Sequence, residues 1–171
     1  MKLSKNGVEM LKDWEGTREK PYDDHTGREI SSWTEGITIG VGHLILQSEW
    51  ELYKYGLNEN EIEALLSKDL KRFERAVNKK IKVPLKQYQF DALVILAFNI
   101  GVGEGYGVDS FMNSSVVKLI NGESGSNYNT LEKAWLVWKK SRGKIIPSLE
   151  KRRESEHKLY TQGIYTKRSK K

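Results

Sequence analysis

The sequence predicts an α+β protein, mainly α, from three features of the chain. A β-rich stretch runs from about Tyr22 to Leu46 and ends in Ile37 to His43, where apolar side chains alternate with small or hydroxylated ones. A long amphipathic helical pattern starts at Asn58, and most of the chain beyond it also reads as helix. The β-rich stretch is too small to stand alone, so it must pack on helices. At 171 residues the chain is one domain, or one domain of two lobes sharing a helix.

Ser4 can cap a first helix whose stripe is Val8, Met10, Leu11 and Trp14, and Gly16 stops it. Within the β-rich stretch, Thr26-Gly27 reads as a turn and Ile30 to Thr34 as a strand. Glu35-Gly36 reads as a second turn and Ile37 to His43 as a half-exposed strand. A short helix covers about Gln47 to Tyr53 and ends near Gly56. Asn58 and Glu61 form a capping-box-like pair ahead of Ile62, Leu65, Leu66, Leu70, Phe73, Ala76 and Val77 on one face. Pro84 opens a helix over Leu85 to Ile100, in which Phe90, Leu93, Val94, Ala97 and Phe98 mark the centre of the core.

Gly101 to Asp109 holds four glycines, but a helix precedes it and no Gly-Lys-Ser/Thr occurs there. It is therefore a flexible link and not a phosphate-binding loop. Ser114 or Ser115 caps Val116 to Asn121, and Thr130 caps Leu131 to Lys140, with Ala134, Trp135 and Trp138 turned inward. Pro147 opens the last helix, through Leu149, Arg152, Glu156, Leu159 and Tyr160.

Composition excludes several classes of function. Hydrophobic content of 37% and charged content of 30% describe a soluble, folded chain. No run reaches the length of a membrane span, and the N-terminal MKLSKNGVEM lacks the apolar core of a secretion signal. With no cysteine there is no disulfide or thiolate metal site, which fits a cytosolic origin. Three scattered histidines, none spaced i, i+4, argue against a zinc hydrolase, and no metal or cofactor is expected. The formal charge of +6 suits an anionic wall polymer or nucleic acid, but no recognition helix or aromatic-basic sheet supports the latter.

The chemistry concentrates between Trp14 and His43. Glu15 sits at the end of the first helix beside Trp14, where partial burial and the negative helix end both disfavour a charged carboxylate. Asp24 lies on a polar loop that leaves it ionised, and Thr38 offers a strand hydroxyl that could hold a water. One protonated acid, one ionised acid and a water-positioning hydroxyl are what hydrolysis of a sugar acetal requires. The bland alternative is an exposed helix-end acid and a simple Asp23-Asp24 turn.

Glu15, eight intervening residues, Asp24, and then Thr38-Ile39-Gly40-Val41-Gly42-His43 resemble the catalytic signature of phage-type lysozymes, the endolysins of glycoside hydrolase family 24. The resemblance continues through Gln89-Phe90-Asp91-Ala92-Leu93 and Phe98-Asn99-Ile100-Gly101. It closes on Leu149-x-x-Arg152-Arg153-x-x-Glu156-x-x-Leu159, so it covers nearly the whole chain. It implies a lysozyme-like, two-lobed fold: a β-hairpin lobe over about 15–57, a connecting helix over about 58–82, a helical lobe from 1–14 and 83–163, and a basic tail over 164–171. By resemblance Glu15 is the general acid, Asp24 the carboxylate that activates water, and Thr38 its orienting partner. Leu44, Phe98 and Ser114 match positions lining the sugar groove.

The implied activity is hydrolysis of the β-1,4 bond between N-acetylmuramic acid and N-acetylglucosamine in peptidoglycan, with inversion. The implied enzyme is a monomer that accumulates in a host cytoplasm and reaches the wall through a membrane hole made by a separate holin. A lytic transglycosylase and a non-catalytic wall-binding module are the other classes this sequence admits. Thirteen residues separate Asp24 from Thr38, against five in compact members, which reads as a longer hairpin from His25 to Glu35 and makes Asp23 and Glu35 rivals to Asp24.

Four further expectations concern side chains outside this signature. His43 is more simply a structural histidine tied to an acid such as Asp69 than a general base. The adjacent Arg152 and Arg153 are expected to point in different directions, one pairing with Glu156 or a neighbouring acid and the other reaching the groove. Trp33 and Tyr106 could stack on sugar faces or merely pack. The tail Lys167-Arg168-Ser169-Lys170-Lys171 reads as a solvated end, with weak docking on an anionic surface as its functional alternative.

Overall fold

The computed structural model describes residues 1–23, 25–103, 110–141 and 143–168. Chain order is α1 (Lys5–Glu15), β1 (Arg18–Asp23), β2 (Ile37–Gly40), β3 (His43–Leu44), α2 (Trp50–Tyr53), α3 (Glu59–Lys80) and α4 (Gln87–Ile100). Then come α5 (Ser115–Ile120), α6 (Leu131–Leu136), β4 (Lys140–Ser141), β5 (Lys144–Ile145) and α7 (Pro147–Gln162). The fold is α+β and mainly helical. Two compact units are formed, Lys12–Lys71 and Met1–Leu11 with Arg72–Lys171.

In the unit Lys12–Lys71, β1, β2 and β3 make an antiparallel sheet with β2 in the middle. Ile37, Ile39, Ile45 and Leu65 form its core, with Ile30, Trp33, Trp50, Tyr53 and Leu57 packed around them. All four residues of β2 are buried, so it is not the half-exposed strand its alternation suggests. Ile37 and Ile39 enter that core, and Gly40 lies against Ile62 and Leu65 of α3. The expected strand over Ile30 to Thr34 is also absent. A single bridge joins Tyr22 to Glu29, and the Ile30 N–H donates to Pro21 O at 2.9 Å. Beyond that the chain leaves the sheet, and the Trp33 indole donates to Ile45 O at 3.2 Å.

The helix α3 starts as its sequence dictates. Asn58 Oδ1 accepts from the Glu61 N–H at 3.0 Å, and Glu61 Oε2 accepts from the Asn58 N–H at 2.8 Å. This reciprocal box satisfies two donors that the first turn would otherwise leave open. In the other unit, every side chain of α4 from Phe90 to Ala97 is buried. A helix that is apolar nearly all round belongs at a core's centre, and α4 packs along α7 there.

Asp91 is the acid inside that apolar helix, and it is fully buried. Its carboxylate accepts from the Ser4 N–H at 3.0 Å, Gln87 Nε2 at 2.8 Å, the Tyr165 hydroxyl at 2.6 Å and the Ser4 hydroxyl. Burial and Asp91 push the Tyr165 phenol up to about 12. Gly7 of α1 lies against the same carboxylate, and a Cβ there would fall 2.9 Å from Asp91 Cγ. Only glycine fits, despite its poor helix propensity. Tyr165 and Thr166, which bonds to Ser155, are thus anchored, so the stretch expected as a basic tail from residue 164 is held to the fold at its start.

Arg152 and Arg153 do not diverge. Both are buried, and both reach Glu156 Oε1, from Arg152 Nε at 3.0 Å and Arg153 Nη2 at 2.6 Å. The i+4 and i+3 offsets bring two adjacent residues to one carboxylate. The other oxygen of Glu156 accepts from the fully buried Trp135 indole at 3.1 Å. The helix capped by Thr130 is shorter than its sequence predicts. It stops at Leu136, and Lys140 and Ser141 turn outward into the hairpin of β4 and β5.

Candidate active site

Glu15 is the last residue of α1. Gly16 follows at φ 80°, and its N–H closes the final turn on Lys12 O at 2.8 Å. A side chain would strain that left-handed backbone, so glycine ends the helix where the acid must sit. Lys12, one turn back, reaches Glu63 on α3 at 3.4 Å. Glu15 is half-buried, with Oε1 closed off from solvent.

Thr38 lies in the same unit, opposite Tyr22 of β1 and Leu44 of β3. It is 8% exposed, and among the described residues its buried hydroxyl has no hydrogen-bond partner. A buried hydroxyl ordinarily has a partner, so this oxygen is available to accept or donate a further hydrogen bond.

The rivals to Asp24 have other employment or none. Asp23 Oδ1 accepts the backbone N–H of His25 at 2.7 Å and of Thr26 at 3.1 Å. These bonds, Thr26 first, hold its carboxyl below the usual range and make it the cap of the turn after β1. Glu35 is exposed in the turn before β2. Asp24 itself lies outside the described residues, as do Tyr106, most of the glycine-rich link and the last three residues of the tail.

Gly40 and Gly42 take φ of 65° and 72°, turning the chain from β2 into β3 and delivering His43 to α3. There His43 Nδ1 meets Asp69 Oδ2 at 2.8 Å, and Nε2 faces Glu49 Oε2 at 3.5 Å. The Tyr53 ring packs edge-on at 5.4 Å between centroids. His43 is therefore the structural histidine that the sequence suggests. The Asp69 hydrogen bond raises its pKa above the ordinary 6.5, with Glu49 adding to it against the cost of burial. The folded state consequently binds a proton more tightly than the unfolded one. Its stabilisation is complete below about pH 6.5 and is lost as pH rises through the raised value. Thermal midpoints measured from about pH 6 to about pH 9 should fall for the wild type, and His43→Gln should flatten that decline.

Of the expected sugar contacts, Leu44 is 53% exposed on β3. Phe98 is half-buried against Phe73, with centroids 4.9 Å apart. Ser114 is buried; its hydroxyl donates to Phe111 O at 2.8 Å and accepts from the Val117 N–H at 3.3 Å as the cap of α5. Its observed part is structural. Among the described residues no group of three or more His, Cys, Asp or Glu could hold a metal, and no helix is long and apolar enough to cross a membrane.

A family model described as phage lysozyme matches residues 12–156. The chain belongs to the phage lysozyme family. Among relatives in that family, the endolysin of Salmonella phage P22 is 35% identical over 161 residues, covering 94% of this chain and 98% of its own. The endolysin of Bacillus phage B103 is 32% identical over 171 residues, but the chain spans only 55% of its length. Solved phage lysozyme structures share the fold. A point mutant of P22 lysozyme superposes with a TM-score of 0.69 at 33% identity, covering 94% of this chain and 98% of that one. The endolysin from Escherichia coli O157:H7 phage FAHEc1 gives 0.70 at 29% identity, with 98% of both chains covered.

Proposed function

We propose that this chain is a peptidoglycan hydrolase, an endolysin that cleaves the β-1,4 bond between N-acetylmuramic acid and N-acetylglucosamine. Glu15 protonates the leaving oxygen, Asp24 removes a proton from the attacking water, and Thr38 orients that water. The observation that carries this reading is a pair of groups in one unit: the Glu15 carboxyl at the end of α1 and the buried Thr38 hydroxyl on β2, which has no partner among the described residues. Leu44 and Phe98 are the candidate saccharide contacts, and Ser114 is assigned to holding α5. The enzyme acts as a monomer, is made in the host cytoplasm, and depends on a holin for passage to the wall.

Product analysis on purified peptidoglycan tests the reaction. Reducing N-acetylmuramic acid ends, released first as the α-anomer, are expected. An anhydro sugar would identify a transglycosylase, and binding without any new reducing end would leave only a wall-binding module.

The register of the second acid has its own test. Asp24→Asn should slow hydrolysis by roughly 10²–10⁴-fold, the range for a lost general base. Asp23→Asn keeps an oxygen to accept the His25 and Thr26 N–H groups, so it should leave the rate within a few fold and the thermal midpoint near the wild type. The opposite ranking would show that the longer hairpin has moved the working carboxylate by one position.

A further inference from the structure

The outer face of α3 carries a row of positive charge. Lys68, Lys71, Arg72, Arg75 and Lys79 stand at i, i+3, i+4, i+7 and i+11 of one continuous helix, so they share a face. All five are exposed, opposite the side buried by Leu66, Leu70, Phe73 and Val77. Between Ala64 and Lys80 the helix has two acids, and both are engaged elsewhere. Asp69 holds His43 at 2.8 Å, and Glu74 accepts the Leu3 N–H at 2.8 Å. Among the described residues none of the five cations forms an ion pair, whereas Lys54, Lys82 and Lys139 each have an acidic mate.

Helix stability does not account for this row. Lys68 and Arg72, Lys71 and Arg75, and Arg75 and Lys79 are like charges at i, i+4, and each pair works against the helix. The macrodipole favours cations in the last turn only, so it covers Lys79 and not the four before it. The row is narrow and about 16 Å long. Beside its cations the face offers only Ala64, Ser67 and Asn78; Arg72 lies over the Phe73 ring at 4.5 Å, but that ring is buried, so no exposed aromatic stacks on a base and no bulky apolar group enters a bilayer. What suits it is a linear chain of phosphates without bases.

We infer that this face of α3 docks a linear poly(polyol phosphate) of the bacterial wall, tethering the enzyme to the mesh it cuts. The choice of wall polymer rests on the hydrolase reading above; the charge row does not. Contact is electrostatic and multipoint, so it tightens as salt falls, through release of counterions from the polymer.

The test uses the full chain and immobilised poly(glycerol phosphate), with binding followed from about 50 to 200 mM salt. The triple variant Lys71→Gln, Arg75→Gln, Lys79→Gln should bind at least about tenfold more weakly at the low-salt end and lose about two units of salt slope. Its thermal midpoint should hold or rise, since like-charge pairs are removed. It should also hydrolyse polymer-stripped peptidoglycan at the wild-type rate. The tail variant Lys167→Gln, Arg168→Gln should keep polymer binding. Unchanged binding by the triple variant, or loss of binding by the tail variant, overturns the inference. So does equal or tighter wild-type binding to phosphatidylglycerol vesicles or duplex DNA. If the wild type fails on stripped peptidoglycan, the hydrolase reading falls instead, and the binding result stands on its own.

Discussion

Glu15→Gln is expected to lose wall-lytic activity by roughly 10²–10⁴-fold, the contribution of a positioned general acid. Glutamine keeps the shape of the side chain and its hydrogen-bonding reach, but it has no acidic proton to give the leaving oxygen. The thermal midpoint should therefore stay near that of the wild type, because α1 still ends on Gly16 and Lys12 still reaches Glu63. Turbidity loss of a peptidoglycan suspension and calorimetry on the same sample measure both. Clearance at the wild-type rate would remove Glu15 from the mechanism. A large drop in midpoint would instead make its part structural.

The second large effect concerns stability. Glu156→Ala should cost about 3–5 kcal/mol, the range for removing one partner of a buried ion pair. Arg152 and Arg153 would lose the carboxylate they share, and the Trp135 indole its acceptor, inside a core where all four side chains are essentially unexposed. For a chain of this length that loss lowers the midpoint by roughly 10 °C. Glu156→Gln retains an acceptor for the indole but no charge, so it should fall between alanine and the wild type. A midpoint within about a degree for the alanine variant would mean that the pairing contributes nothing net.

Local signals are legible in this sequence and non-local ones are not. The reciprocal Asn58–Glu61 cap, the Pro147 start and the apolar run of α4 depend on neighbours a turn away, which the sequence displays. The His43–Asp69 pair can be reasoned out because a histidine at a strand end beside a long helix needs an acid. By contrast, the burial of β2 depends on what packs over its faces, Leu65 and Ile62 of α3 among them, and these lie more than 20 residues away in the chain. The burial of Asp91 is not legible because, Gln87 apart, its donors come from Ser4 and Tyr165, 87 and 74 positions away. The Asp23 turn is visible as Asp-Asp-His-Thr-Gly, yet which of the two acids caps it is decided by backbone geometry. At the site, residue type and spacing pick out Glu15 and Thr38; the enclosure of their oxygen atoms takes the folded chain to see.

Because Ser4 and Tyr165 both bind one carboxylate on α4, the start of α1 is fastened by contacts that span most of the chain. Closing loops of that length is slow relative to forming a helix. During synthesis α1 can coil early, but its last fastener arrives only when the ribosome has delivered Tyr165. The final fastening of α1 therefore waits for a residue made about 160 positions after the helix itself begins.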